Sequence, residues 1–259
     1  MSREALLPKP GDYLTFPASE SLRHPEKHSS DNGAVIRDTI IGFADGLTVP
    51  FALTAGLSSI GSTRLVILGG LAELFSGAIS MGLGAYLAAK TEAKTYEVEE
   101  LRERREVEEM PEAEEEEIYE IFDEYNLSRE TVRPLVESLR QDKDMWVKFM
   151  MDFELKLEKP ALNRAWISAL VMGLSYFLGG LVPMLPYFFL DNIQHALFTS
   201  IGITVVVLLI FGYVKASATS CPRKTCWYSA FQTLLVGALA AATSYAIVRG
   251  VDSLKPGKA

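Results

Sequence analysis

Apolar residues in this chain gather into long runs, and most of the charge is confined to one block between them. Five stretches, roughly 37–60, 65–89, 165–189, 193–214 and 226–248, are long enough to cross a hydrocarbon layer, which takes about 20 predominantly apolar residues. The last three contain no Asp, Glu, Lys or Arg. The pattern predicts an all-α polytopic membrane protein with five transmembrane helices. Span two does not stop at the bilayer edge: from Ala88 the segment AAKTEAKTYEVEELRERREVEEM has good helix formers and no Pro or Gly. It also sets Glu100 four residues before Arg104, a pairing that supports a helix. A continuous helix from Leu65 to Met110 would be ~69 Å long and would leave the membrane as a stalk. Pro111 breaks it, and three shorter helices are predicted at 112–125, 129–141 and 143–158, the second opening on a weak N-cap at Ser128.

The expected organisation is a disordered cytosolic N-terminal tail over 1–33 and spans one and two over 34–90. An acidic cytosolic unit of stalk plus three helices follows over 91–160, then spans three to five over 161–250 and a C-terminal tail over 251–259. The first 30 residues are polar, rich in Pro and Ser, and lack the apolar core of a cleavable signal peptide. Lys and Arg flanking the spans favour a cytosolic N-terminus. Arg23, Lys27 and Arg37 precede span one, and Lys215, Arg223 and Lys224 lie between spans four and five. About a dozen more lie in the insert, which is then cytosolic too, and an odd number of spans sends the C-terminus to the lumen.

Hydrophobic residues make up 49% of the chain and charged residues 22%, and their segregation excludes a single ordinary soluble core. The formal net charge of −8 is equally uneven, because 23 of the 33 acids fall between Lys90 and Pro160. Such a block points to cations as partners rather than nucleic acid. Cys221 and Cys226 have a poor zinc spacing and, as a cytosolic pair, are expected to be two thiols. No Gly-rich phosphate loop, nucleophile elbow or His-rich metal centre is present, so an enzyme is not expected.

Two acids break the apolar runs. Asp45 is the only charged residue between Thr39 and Thr63, and a lone carboxylate near the bilayer centre costs at least ~2.5 kcal/mol, so it calls for a partner or a water-filled path. Glu73 in span two is the second intramembrane carboxylate. Met81 lies eight residues on, about 80° away in projection and about 12 Å along the axis, so the two can line one groove at different depths. Gly70, Gly77 and Gly84 repeat at heptad spacing and would let helix backbones approach closely. Pro50 removes the helical donor from the Gly46 carbonyl, and a freed carbonyl beside a carboxylate makes an ion site. Two acids without a base must hold a proton or share a cation, which is the chemistry of an antiporter. The structural alternative is that they satisfy each other or Arg37.

In the acidic unit, Glu103 and Glu106, then Glu114 and Glu117, then Met150, Met151 and Glu154 each share a helix face. Their convergence would join hard carboxylates to soft thioethers, a set suited to Fe²⁺ more than to Mg²⁺ or Ca²⁺. Spacing alone leaves open a solvated acidic face with the two methionines in a core.

RDTIIGFADGLTVPFALTAGLS at 37–58, AELFSGAISMGLGAYLAAKTE at 72–92, LEKP at 157–160 and LGGLVPMLPYFF at 178–189 resemble the vacuolar iron transporter family of plants and fungi. The resemblance implies a homodimer in the vacuolar membrane with five helices per subunit, exchanging cytosolic Fe²⁺ for vacuolar H⁺. Mn²⁺, and Zn²⁺ or Co²⁺, are further candidate ions, and no resident cofactor is implied. It also implies a path at the dimer interface through Asp45, Glu73 and Met81. The cytosolic metal site would comprise Glu103, Glu106, Glu114, Glu117, Met150, Met151 and Glu154. The competing expectation is a membrane-anchored iron sensor or buffer that transports nothing; such a protein has no need of the intramembrane acids.

Overall fold

A computed structural model describes residues 30–161, 163–219 and 221–254, and among them contains eight helices and no strand. The helices are α1 (Ser30–Ser58), α2 (Thr63–Glu109), α3 (Pro111–Asp123), α4 (Arg129–Gln141), α5 (Lys143–Phe153), α6 (Arg164–Phe189), α7 (Ile193–Ala218) and α8 (Arg223–Leu254). Five of these, α1, α2, α6, α7 and α8, are long and apolar enough to cross a membrane. Most of the expected tails, residues 1–29 with Arg23 and Lys27 and residues 255–259 with Lys255 and Lys258, lie outside the described residues. Their ends nearest the spans are helical instead, since α1 begins at Ser30 and α8 runs to Leu254.

Helix α2 is continuous over 47 residues, as its lack of Pro and Gly beyond Gly84 predicts. It starts where Gly61, at φ +83°, turns the chain and the Ser62 hydroxyl accepts the Leu65 N–H at 3.3 Å. It stops where Pro111 opens α3. Helix α4 occupies 129–141 as the sequence predicts, but the Ser128 hydroxyl accepts no backbone N–H and pairs instead with the hydroxyl of Thr131 at 2.9 Å. Helix α5 ends at Phe153, five residues short of the predicted 158. There the Leu155 N–H turns back to the Met150 carbonyl and the Leu157 N–H to the Met151 carbonyl, with Lys156 between them at φ +54°. This left-handed stop is a common helix ending, and Pro160 follows it.

Lipid offers helices no hydrophobic drive to associate, so close backbone packing has to hold the spans together. Helix α6 supplies it on two sides. It runs parallel to α1, where a Cβ on Gly42 would collide with the Met172 carbonyl and one on Gly46 with the Tyr176 carbonyl. It runs antiparallel to α2, where a Cβ on Gly173 would come within 3.5 Å of the Gly82 Cα. Side chains fill the rest of the seam: Leu47, Leu74 and Met184 are buried, and the hydroxyls of Tyr187 and Ser58 pair at 2.9 Å. From α7, Ser200 donates to the Pro183 carbonyl at 2.7 Å. Outward positions such as Ile79 and Leu83 are exposed, as a lipid-facing surface requires.

Helices α3 to α5 fold back onto the far half of α2. They enclose a small apolar core of Val107, Ile118, Val132, Val136, Leu139, Trp146, Val147, Met150 and Met151. Helix α4 contributes Val132, Val136 and Leu139 at helical spacing. Arg104 pairs with Asp144 at 2.6 Å, Arg140 with Glu115 at 2.8 Å, and Arg129 with Glu116. The exposed pairs Arg104–Asp144 and Arg129–Glu116 each contribute only about 0–1 kcal/mol, but together the three use up basic side chains at the rim of the unit.

The backbone contact at Gly46 leaves no room for a methyl group, whereas Gly202 of α7 has open space around it. Gly46→Ala should therefore cost roughly 1–3 kcal/mol of overpacking, and Gly202→Ala should be neutral or stabilising by up to ~1 kcal/mol. Thermal unfolding of the full chain in detergent checks this; equal melting temperatures for the two variants would contradict the described seam.

Candidate functional site

Two groups of acids stand out in the fold, one among the spans and one beyond them. Among the spans, Glu73 is half-buried, and its Oε1 accepts a hydrogen bond from the Tyr176 hydroxyl at 2.6 Å. Gly77, one turn further along α2, makes room for that tyrosine: a Cβ there would lie 2.5 Å from the ring. Tyr176 is buried, and its main-chain carbonyl abuts Gly46, next to Asp45. Helix α6 thus brings one residue to both places, its side chain to Glu73 and its backbone to the neighbour of Asp45. Sequence reading missed Tyr176; a signal was available, because a buried tyrosine hydroxyl needs a partner and carboxylates are scarce in the spans.

Asp45 itself is exposed on the surface of the single chain, and Met81 is half-buried two turns from Glu73. Among the described residues no Lys, Arg or His lies within ion-pair reach of Asp45 or Glu73. Arg37, the candidate base, sits instead on Asp38, with Nη2 3.4 Å from Oδ1. Two details of the expected constellation change. The Gly46 carbonyl that Pro50 leaves without a helical donor faces α6, 3.3 Å from where a Cβ on Gly180 would stand, and so belongs to the packed seam. Of the three heptad glycines, Gly70 receives Met184 and Gly77 receives Tyr176, and only Gly84 is open.

Beyond the spans, α2, α3 and the end of α5 bring five carboxylates together. One ligand atom each from Glu103, Glu106 and Glu114 lies within 4.8 Å of the others, and so does one each from Glu114, Glu117 and Glu154. Glu114 belongs to both sets. Glu103 and Glu114 are buried, and one oxygen each of Glu103, Glu114 and Glu154 is sealed from solvent with no hydrogen-bond partner. Arg102 reaches only the edge, bonding Glu106 at 3.1 Å. The donor set fits a divalent cation: hard oxygens, excess negative charge and lone pairs that no protein donor satisfies. Met150 and Met151, also predicted as ligands, are fully buried beside this cluster and pack in the apolar core.

Desolvation and mutual repulsion raise these carboxyls. Burial first, then Glu117 and Glu103, push Glu114 up to about 8; burial, then Glu117 and Glu103, push Glu154 up to about 7. Glu103 is raised too, chiefly by burial and then by Glu106. Between the ordinary 4.5 and about 8, the folded chain holds a proton on Glu114 that the unfolded chain has released. Its contribution to stability is therefore complete below the ordinary value and is lost as pH rises through about 8. Without divalent cations, the unit around Trp146 should melt at progressively lower temperature from about pH 5 to 8. Glu114→Gln should reduce that slope, and Mn²⁺ should restore stability at the alkaline end. Trp146 fluorescence, with Trp166 and Trp227 replaced by Phe, reads the transition. A slope unchanged in Glu114→Gln would contradict the assignment.

The VIT family model matches residues 36–249. Vacuolar iron transporter 1 of Oryza sativa subsp. japonica is 49% identical over 231 residues, covering 89% of this chain and 90% of the relative. Vacuolar iron transporter cccA of Arthroderma benhamiae is 40% identical, covering 93% and 90%. Protein CCC1 of Saccharomyces cerevisiae is 44% identical, covering 83% of this chain and 68% of the relative. Identity of this extent takes in the spans, the stalk and the acidic unit alike: the chain belongs to the VIT family.

Proposed function

We propose that this protein moves Fe²⁺, and also Mn²⁺, from the cytosol into a vacuole in exchange for protons. The names of its relatives support iron as cargo and the vacuole as destination. The observation that carries the exchange is the pair of intramembrane acids with no base in reach among the described residues. A carboxylate in that setting is stable when protonated or when bound to a cation, so binding one ligand releases the other.

In this reading, Asp45 and Glu73 bind the ion in turn with protons, and Met81 offers a soft sulfur ligand to a borderline metal. Tyr176 holds Glu73 by the 2.6 Å hydrogen bond and keeps one carboxylate oxygen oriented. The exposure of Asp45 on a single chain is the reason to expect a second copy: a homodimer would cover it and give both copies of α1 and α2 a common water-accessible seam. The acidic unit lies on the cytosolic side, as the Lys and Arg distribution favours. There its five glutamates, with Met150 and Met151 beside them, gather ions at the entrance. The alternative reading, a membrane-anchored iron buffer or sensor, draws on that same cluster but leaves the intramembrane acids without a purpose.

Reconstituted vesicles separate the two. Fe²⁺ uptake should follow an outward proton gradient and fall to background in Asp45→Ala. Tyr176→Phe should retain transport at a rate lowered about tenfold, since a hydrogen bond to a charged group is worth ~1.5–3 kcal/mol. Glu103→Ala with Glu106→Ala should raise the Fe²⁺ concentration needed for half-maximal uptake without abolishing it. Uptake at the normal rate in Asp45→Ala would remove the path, and uptake indifferent to the proton gradient would remove the exchange.

A further inference from the structure

At the base of the stalk lies a cleft of about 900 Å³ that the transport reading does not use. Its walls are the first turns of α1, the α2 segment around Glu92 and Tyr96, the linker 156–161 and the start of α6. Four cationic side chains line it, Arg37, Lys156, Lys159 and Arg164, against two acids, Glu92 and Glu158. Arg164 shares Glu92 at 3.4 Å, yet its Nε is buried with no hydrogen-bond partner. Neither lysine has an ion-pair partner among the described residues. The N-terminus of the 26-residue α6 opens here as well, and its N-cap Asn163 makes no side-chain capping bond. Backbone N–H groups at that end therefore add to the positive field.

The backbone at Lys156 carries separate information. Its φ of +54° is a conformation that favours glycine, and a lysine is strained there. The two hydrogen bonds that close α5 fix this conformation, and Lys156 lines the cleft. Topology signals need only place basic residues near a span, whereas here they line one cavity from three segments. The cleft also has apolar walls at Val35, Leu157 and Ile167. Close by, exposed Trp166 packs against Tyr86 with ring centroids 4.8 Å apart and the rings tilted at 53°, and aromatic residues of this kind are enriched at headgroup level.

We propose that this cleft binds the phosphate of an anionic phospholipid from the leaflet through which the stalk emerges. Lys156, Lys159 and Arg164 take the phosphate, and Val35 and Ile167 lie along the glycerol end of the acyl chains. Basic pockets between spans at a membrane surface have this ligand chemistry. The apolar wall favours a lipid over a free phosphate. The assignment is independent of which ion the protein carries.

Native mass spectrometry of the full chain released from detergent, loaded with dioleoyl phosphatidic acid or dioleoyl phosphatidylcholine, tests it. Phosphatidic acid should be retained roughly tenfold over phosphatidylcholine, and Lys156→Gln with Lys159→Gln should remove most of that preference. Arg223→Gln with Lys224→Gln, an equal loss of charge outside the cleft, should leave it intact. Lys156→Gly guards against a variant that merely unfolds, because it relieves the backbone strain: it should melt no lower than the parent and still lose lipid. Equal retention of the two lipids, or a preference surviving Lys156→Gln with Lys159→Gln, overturns the proposal. So does displacement of phosphatidic acid by inorganic phosphate at matched concentration, which would make the ligand a soluble anion.

Discussion

A carboxylate deprived of water and of a basic neighbour has to be neutralised by a proton or by a bound cation. That constraint acts twice in this molecule. In the spans, Glu73 has a tyrosine hydroxyl and, among the described residues, no cation; in the acidic unit, Glu114 shares two ligand sets with other acids and is pushed up to about 8. A structural role for either group would be served more cheaply by apolar or amide side chains of similar size, since unpaired buried charge is among the most costly features a fold can hold. Basic residues are not lacking nearby: Arg104, Arg129 and Arg140 all belong to the extramembrane unit. They are held by Asp144, Glu116 and Glu115 at its rim. Only Arg102 reaches the cluster, at its Glu106 edge, so the buried carboxylates Glu103 and Glu114 have no ion-pair partner among the described residues.

Position in the spans depends on glycine. Helix α6 lies close enough to α1 and α2 that Gly42, Gly46, Gly82 and Gly173 meet backbone rather than side chains. This close approach is also what carries Tyr176 to Glu73, because the ring crosses α2 over Gly77, where any larger residue would displace it. Packing and site geometry are therefore one feature. A Cβ at Gly77 would disturb the hydrogen-bond donor of Glu73 without touching the carboxylate itself.

Much of this was legible in the sequence. Uncharged runs and the Pro111 break located the long helices to within a few residues at most ends, and the i,i+3 acids led to the carboxylate cluster. The failures have physical causes. Helix α5 ends at Phe153 because Lys156 adopts a left-handed conformation, which sequence signals assign to glycine or asparagine. Equal heptad spacing made Gly70, Gly77 and Gly84 look alike, yet what each glycine accommodates is decided by α6, about 100 residues away in the chain. Tyr176 escaped for the same reason: hydrogen bonds between distant helices leave no local period. The direction of the Gly46 carbonyl likewise depends on where α6 lies, a tertiary fact.

The short segment from Glu154 to Lys156 joins the two halves of the molecule. Glu154 contributes an oxygen to the carboxylate cluster, and two residues later Lys156 lines the basic cleft at the foot of the stalk. Between them the backbone is fixed by hydrogen bonds to the Met150 and Met151 carbonyls, so neither side chain can shift far without disturbing the end of α5. A cation drawing Glu154 inward and an anion drawing Lys156 outward would both act on this one turn. Glu154 and Lys156 are two residues apart, so coupling between the two sites would pass through this one turn and not along a pathway through the fold.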